Sequence, residues 1–156
     1  MAKMVDEGDK APDFALATDG GGKISLKDFA GKPVVLYFYP KDDTSGCTTE
    51  AIDFSAAAKT FTKLGASIVG VSKDSIASHQ KFKTKHKLTF TLASDPEGEV
   101  IDSYGSWVEK SMYGRKYMGI DRSTFLINSK GKIAKIWRKV RVPGHVAEVL
   151  SAVRSL

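Results

Sequence analysis

Two uninterrupted apolar runs stand out along this chain, and each predicts a strand buried on both faces. The first covers residues 34–39 between Pro33 and Pro40, as expected for a central strand of a layered sheet. The second covers residues 66–72 and has the same character. Four shorter segments are predicted as further strands, the last two joined by a tight turn: residues 14–17, 89–92, 124–127 and 132–137.

Helical periodicity fills most of the intervals between these strands. From Cys47 onward, apolar residues recur at three- and four-residue intervals, and Gly65 is a natural C-terminal stop. Further helices are predicted over residues 75–87, capped by Ser75, over residues 96–104, with Pro96 at the first position, and over residues 145–153. Residues 105–121 are predicted as a loop or irregular strand. Strands alternating with helices, followed by a hairpin and a helix, predict an α/β fold with a mixed sheet.

Length and composition indicate one globular domain spanning residues 1–156. The chain is of ordinary domain length, and its 42% hydrophobic and 27% charged residues are typical of globular proteins. It contains no apolar stretch of about 18 residues, so no membrane helix is expected. The first residues lack the apolar core of a signal peptide. One cysteine cannot form an internal disulfide, and we expect a cytoplasmic protein.

The net charge of +6 changes this interpretation little. A strongly basic chain can bind nucleic acid, but here the basic residues are spread along the sequence. The densest groups, at residues 81–87 and 138–141, are typical of a solvated helix face and a strand edge. No specific nucleic-acid site is predicted. The three histidines have no cysteine or acidic partners at ligand spacing, and no haem, flavin or nucleotide motif occurs, so neither a metal nor a cofactor is expected.

The chemistry of the chain is expected at Cys47, which falls at the predicted start of the first long helix. Unpaired N–H groups and the helix dipole favour an anion there, and the thiolate is the reactive form of cysteine. Cys47 shares a helix face with Ala51 and Phe54, so its thiol is predicted to point inward. Thr44 can bring a hydroxyl to the same pocket as donor and acceptor. A lone cysteine is also commonly an inert core residue, and position alone leaves both interpretations open.

The pattern Pro40-x-x-x-Thr44-x-x-Cys47 resembles the active-site signature of the peroxiredoxins, thiol peroxidases on a thioredoxin-like fold. Pro40 ends the strand and fixes the entry of the turn. Residues 37–50, together with residues 112–115 and 119–127, resemble more narrowly the bacterioferritin comigratory protein/peroxiredoxin Q branch. The resemblance extends over nearly the whole chain in matching order. It implies a central mixed sheet flanked by helices.

The resemblance also implies a role for each site residue. Cys47 is implied to be the peroxidatic cysteine, whose thiolate attacks one peroxide oxygen and becomes sulfenic acid. Thr44 is implied to orient the peroxide, and Arg122 to stabilise the thiolate and the charge that develops on the leaving oxygen. The backbone N–H of Gly46 or Cys47 can serve the same oxygens. Glu50, one turn further along the helix, is expected to orient Arg122.

Two departures from the family pattern stand in this region. Ser45 replaces the proline usual in the turn; serine keeps the turn feasible and can itself cap the helix. Relatives carry a second, resolving cysteine either at the position of Ile52 or on the next helix near Lys83, and neither is cysteine here. The resemblance therefore implies a one-cysteine, monomeric peroxiredoxin. It would be recycled by an external thiol such as glutathione, glutaredoxin or thioredoxin.

Three other functions compete with peroxide reduction. A sensor would use the single unresolved Cys47 to pass oxidation on to a partner protein. A disulfide reductase of thioredoxin type needs a C-x-x-C pair, which this chain lacks. The positive charge alone would allow a DNA-binding or holdase protein.

Overall fold

The computed structural model describes residues 5–156, and strands and helices alternate through most of that range. Residues 1–4, which belong to the predicted domain span, lie outside the described residues. The elements follow in chain order: β1 (Ala15–Thr18), β2 (Lys23–Ser25), a 3₁₀ helix (Leu26–Phe29), β3 (Val34–Phe38), α1 (Ser45–Lys63), β4 (Ser67–Ser72), α2 (Ile76–His86), β5 (Thr91–Ser94), α3 (Glu99–Ser103), β6 (Trp107–Met112), β7 (Arg115–Ile120), β8 (Ser123–Ile127), β9 (Ile133–Trp137) and α4 (His145–Arg154).

The two apolar runs pair with each other near the middle of a seven-stranded sheet. The strand order is β2-β1-β5-β4-β3-β8-β9. β3 and β4 are parallel, as are β4 and β5, because α1 and α2 return the chain to the same edge; the other pairings are antiparallel. This is the mixed sheet of a thioredoxin-like α/β fold, and the predicted fold class is confirmed.

Alternation along β3 divides the core into two layers. Val35 and Tyr37 face the layer covered by α1, α2 and α4, and the ring of Tyr37 stacks on Phe54 with centroids 4.6 Å apart. Val34 and Leu36 face the other layer, which α3 and the N-terminal segment cover. Every residue of β3 is buried, which explains why its sequence shows no polar alternation. The rigid centre of the sheet thus leads directly into the turn before Cys47.

One predicted strand and one predicted helix were misplaced by two residues or more. β5 begins at Thr91 rather than at residue 89, because it pairs with β4 from Thr91 to Ser94. The predicted helix over 96–104 begins only at Glu99. Its start is delayed because the Asp95 carboxylate accepts the Ile101 N–H at 2.8 Å and Gly98 takes the left-handed conformation, with φ 73°.

Residues 105–121 form a regular element rather than the predicted loop or irregular strand. β6 and β7 pair along their whole length as a separate two-stranded hairpin. Tyr113 and Gly114 close it with φ values of 52° and 77°, as a tight hairpin turn requires. Most side chains of this hairpin are exposed, so the sequence shows no apolar alternation to announce it. None of the helices within residues 5–156 has both the length and the apolar content to cross a bilayer.

Candidate active site

The candidate site lies where β3 passes through a short turn into α1. Pro40 is exposed at the entry of this turn. Thr44 is the N-cap residue and Ser45 the first residue of the helix, within the predicted range for its start. The expectation that Ser45 can cap the helix is therefore not met. Cys47, the third helical residue, is only 1% exposed and packs in the core layer under α1.

The hydroxyl of Thr44 already has a partner, which decides what it can do. It donates to the Lys41 carbonyl oxygen at 2.8 Å, across the turn. Thr44 was expected to act as both donor and acceptor, but the Lys41 carbonyl engages its single proton. Its oxygen retains acceptor capacity for a ligand that carries an O–H group, such as a hydroperoxide. The same bond also closes the turn on itself.

Arg122 reaches Cys47 across 75 residues of sequence. It lies between β7 and β8, and its Nη2 donates to the Cys47 sulfur at 3.4 Å while Nη1 donates to Glu50 Oε1 at 2.8 Å. Gly46 makes room for this approach, because a Cβ there would lie 3.1 Å from Nη2. The structure therefore brings together four of the predicted site residues: Gly46, Cys47, Glu50 and Arg122.

Glu50 is fully buried, and its charge state follows from that burial. Desolvation raises its pKa from 4.5 to about 7, although Arg122 opposes the shift. Burial alone would lower the pKa of Arg122, but the neighbouring Glu50 and Cys47 raise it instead. The guanidinium therefore stays charged while the carboxyl is partly protonated near neutral pH. Within residues 5–156, neither Glu50 Oε2 nor the buried Tyr37 hydroxyl has a hydrogen-bond partner.

Backbone donors add to the positive character of this end of α1. The Thr48 N–H makes a 2.8 Å bond to the Thr44 carbonyl, the first intrahelical bond of α1. The N–H groups of Gly46 and Cys47 precede it and have no acceptor among the described residues. Together with the helix dipole and Arg122, they can receive negative charge that develops on the sulfur or on an oxygen beside it.

A second polar cluster beside the turn was not predicted. Asp42, Asp74 and His79 bring ligand-type atoms within 4.8 Å of one another, but hydrogen bonds within the protein engage them, and we assign no metal to them. The helical period placed His79 on the inner face of α2 without indicating its partner. The only hint in the sequence was Asp42 itself, an acidic residue directly after an apolar strand.

The two positions at which the family resemblance leads us to expect a second cysteine have different surroundings. Ile52 lies on α1 with 44% of its surface exposed, facing away from the core. Lys83 lies on α2 and pairs with the Asp19 carboxylate at 2.7 Å. Both residues are compatible with their environments.

Comparison with known proteins identifies the family. Residues 7–136 match the AhpC/TSA family. The chain is 51% identical over 146 residues to the putative peroxiredoxin bcp of Coxiella burnetii, covering 94% of this chain and 97% of that protein. It is 49% identical over 152 residues to peroxiredoxin Bcp of Bacillus subtilis, covering 97% of each.

Solved structures agree with the sequence relatives. Peroxiredoxin Q of Xanthomonas campestris superposes with a TM-score of 0.88 at 44% identity, covering 91% of this chain and 90% of that one. The bacterioferritin comigratory protein of X. campestris, studied for alkyl peroxide reduction, gives 0.90 at 42% identity over 98% of both chains. Forms of that peroxiredoxin Q with serine in place of either of two cysteines are also known, whereas this chain has one cysteine. The chain therefore belongs to the AhpC/TSA family and, within it, to the Bcp/peroxiredoxin Q branch of the thiol-dependent peroxidases.

Proposed function

We propose that this chain reduces hydrogen peroxide and organic hydroperoxides through Cys47. The observation that carries the proposal is the 3.4 Å contact of Arg122 with the Cys47 sulfur in the first turn of α1. The thiolate attacks the outer oxygen of R–O–O–H, an S–O bond forms and the O–O bond breaks. The sulfur is oxidised to sulfenic acid, and the leaving RO⁻ takes a proton to become water or an alcohol.

The surrounding groups have distinct roles in this step. Arg122 and the N–H groups of Gly46 and Cys47 stabilise the negative charge that passes from sulfur to the leaving oxygen. Thr44 accepts a hydrogen bond from the hydroperoxide and so orients it. Glu50 fixes the fork of Arg122 through its 2.8 Å bond to Nη1.

The second half of the cycle uses a thiol from outside the chain. With one cysteine, the sulfenic acid cannot close an internal disulfide. An external thiol R′SH condenses with it, releasing water and leaving a mixed disulfide. A second thiol then returns Cys47 to the reduced state and leaves as R′S–SR′. We propose glutathione, glutaredoxin or thioredoxin for this role.

The need for an external thiol bears on the location of the protein, and the reaction itself bears on its oligomeric state. Reduced thiols are maintained in the cytoplasm, and we place the protein there. We further propose that it acts as a monomer, since the reactions above need one Cys47 pocket. The molecular mass measured by sedimentation in solution tests this assignment, and a stable dimer would contradict it.

Steady-state peroxide consumption tests the proposed function. Wild type and Cys47→Ser are compared with hydrogen peroxide and an organic hydroperoxide, each supplied in turn with glutathione, glutaredoxin or thioredoxin and their reductases. We expect turnover with at least one reductant for the wild type and none above background for Cys47→Ser. Equal rates for the two proteins would refute the proposal.

The same assay separates turnover from sensing. A sensor would form a mixed disulfide with one protein and show negligible turnover with every thiol supplied. The relatives are named as peroxiredoxins, which favours turnover.

A further inference from the structure

The turn that leads to Cys47 is attached to α2 by two consecutive aspartates. Asp43 lies on the surface in the left-handed conformation, with φ 61°. Its carboxylate binds Lys85 Nζ at 2.7 Å and His86 Nε2 at 2.9 Å, both from the last turn of α2. These contacts are largely exposed, and exposed ion pairs hold side chains only weakly.

Asp42, in contrast, is buried and fully engaged. Its Oδ1 accepts the Tyr39 hydroxyl at 2.6 Å, and its Oδ2 accepts Ser78 Oγ at 2.8 Å and His79 Nδ1 at 2.7 Å. Its own N–H donates to Asp74 Oδ2 at 2.8 Å. Side chain and backbone of this one residue are therefore both fixed, and α2 supplies two of the donors.

The hydrogen-bond partners of His79 settle its protonation. The ring is fully buried, and its Nε2 lies 2.9 Å from the Ala93 carbonyl oxygen. A carbonyl only accepts, so Nε2 carries a hydrogen. The Tyr39 hydroxyl lies 3.4 Å from Nδ1 but donates its proton to Asp42 at 2.6 Å, so Nδ1 carries a hydrogen for the Asp42 carboxylate as well. His79 is therefore an imidazolium that joins β5 to the turn. Its pKa agrees with this: burial alone would lower it, but the bond to Asp42 raises it above 6.5.

We propose that His79 is a positioning residue of the peroxidase reaction, holding through Nδ1–H and Asp42 the turn that presents Thr44 and Cys47 to the peroxide. The inference rests on the proposed function. Within the turn, the Thr44–Lys41 bond ties the turn only to itself. The contacts of Asp42 with His79, Ser78 and Asp74 fix it against the rest of the molecule, and the one with His79 is the buried ionic contact among them. A small displacement of reacting groups is enough to slow a reaction markedly.

Two substitutions of His79 each keep one of its two hydrogen bonds, to Asp42 or to Ala93, and remove the other. An asparagine amide nitrogen falls near the position of Nδ1, so His79→Asn keeps a donor for Asp42 and loses the bond to Ala93. A glutamine amide nitrogen falls near Nε2, so His79→Gln keeps the bond to Ala93 and loses the one to Asp42. Both remove the ring and its charge, which makes them matched controls for packing and electrostatics.

The first readout is the second-order rate of sulfenic acid formation at Cys47, followed in single turnover by trapping and mass spectrometry. We expect His79→Gln to be slower by about tenfold or more, and His79→Asn to stay within about threefold of wild type. Ser78→Ala removes one other donor to Asp42 Oδ2 and is the milder variant should either His79 variant fail to fold. We expect it to be about two- to fivefold slower.

The second readout is alkylation of Cys47, which is 1% exposed in the anchored turn. Loosening the turn exposes the thiol, so His79→Gln and Ser78→Ala should be alkylated faster while reacting with peroxide more slowly. Lys85→Gln, on the exposed Asp43 contact, should change neither rate. All variants are compared well below their melting temperatures.

The positioning role is supported if the rate of sulfenic acid formation falls while the rate of alkylation rises. Both changes should be larger in His79→Gln than in His79→Asn. Equal peroxide rates in His79→Asn and His79→Gln, or in Ser78→Ala and wild type, would overturn it. Failure of the proposed function is a different result, because the wild type itself would then form no sulfenic acid at Cys47.

Discussion

Two buried carboxylates lie on either side of Cys47 in the sequence, and their surroundings shift their pKa values in opposite directions. Asp42, within the turn that leads to Cys47, is 7% exposed and accepts three side-chain hydrogen bonds. Burial alone would raise its pKa, but the bonds from His79 and Tyr39 lower it below 3.8. Glu50, after the turn, is fully buried with a single partner, and burial raises its pKa to about 7.

The contrast separates holding a geometry from tuning a charge. A saturated carboxylate such as Asp42 has one arrangement and fixes the backbone attached to it. An under-bonded carboxylate such as Glu50 is neutral part of the time near pH 7. When it is protonated, the charge of Arg122 is no longer offset and acts fully on the Cys47 sulfur and the leaving oxygen. The segment around Cys47 thus has an anchored end at Asp42, where the geometry is fixed, and an adjustable end at Glu50, where the charge can change.

The largest effect is expected from removing the charge at the adjustable end. Arg122→Gln should lower the rate of Cys47 oxidation by about 10²–10³, the usual loss when a preorganised donor to a developing oxyanion is removed. Stopped-flow kinetics with hydrogen peroxide measure this rate. Arg115→Gln, at an exposed position on β7, controls for the change in net charge and should match wild type. An Arg122→Gln rate within threefold of wild type would contradict the assigned role.

The sequence could predict the surroundings of Cys47 and Glu50 better than those of Asp42. An uninterrupted apolar run located β3, and helical periodicity located α1 and the inward face of Cys47. The partnership with Arg122 came only from the family resemblance, because no local pattern links residues 75 positions apart. Glu50 was expected to orient Arg122; the structure shows the 2.8 Å bond between them, and the role stays a prediction.

The contact between Asp42 and His79 could not be predicted from the sequence, for physical reasons. Helical period showed that His79 faces inward, but a period specifies a face and not the partner that meets it. The bond to Asp42 depends on how α2 packs against the end of β3, which is a tertiary property. The β6–β7 hairpin was not predicted for a related reason, since its strands pair with each other and bury few side chains. Local burial patterns therefore miss what is held by polar contacts.

At the anchored end, Asp42→Asn should destabilise the fold by roughly 3 kcal/mol near neutral pH, because it leaves the buried His79 without its charge partner. The lowered pKa of Asp42 means that its contribution is present above 3.8 and is lost as the pH falls through the folded value. The raised pKa of His79 means that its contribution is lost as the pH rises through its folded value. Urea unfolding from pH 3 to 9 should show both losses in wild type and neither in the variant.

Glu50 should produce the opposite slope on the acid side. Its folded pKa of about 7 lies above 4.5, so the folded state binds a proton that the unfolded state has released. Stability should therefore fall by up to about 3 kcal/mol as the pH rises from 4.5 to 7. Glu50→Gln cannot ionise and should lack this decline. The unfolding series tests it directly, and a slope in Glu50→Gln equal to that of the wild type would show that folding does not raise the pKa of Glu50.

The smallest effect concerns Ser45, which lies between the two carboxylates where the family usually has proline. It is the first residue of α1, where a missing N–H costs nothing, and Thr44 before it has φ −86° and ψ 156°, the extended conformation that a following proline requires. Ser45→Pro should therefore stabilise the fold by about 0.4–1 kcal/mol by restricting the unfolded chain. The hydrogen bonds of Asp42 and Glu50 should be unaffected, so the rate of Cys47 oxidation should not change. Thermal unfolding and single-turnover kinetics measure the two quantities. If the variant instead reacted faster with peroxide, the anchor at Asp42 would be leaving the turn partly free, and the division of roles between the two carboxylates would be wrong.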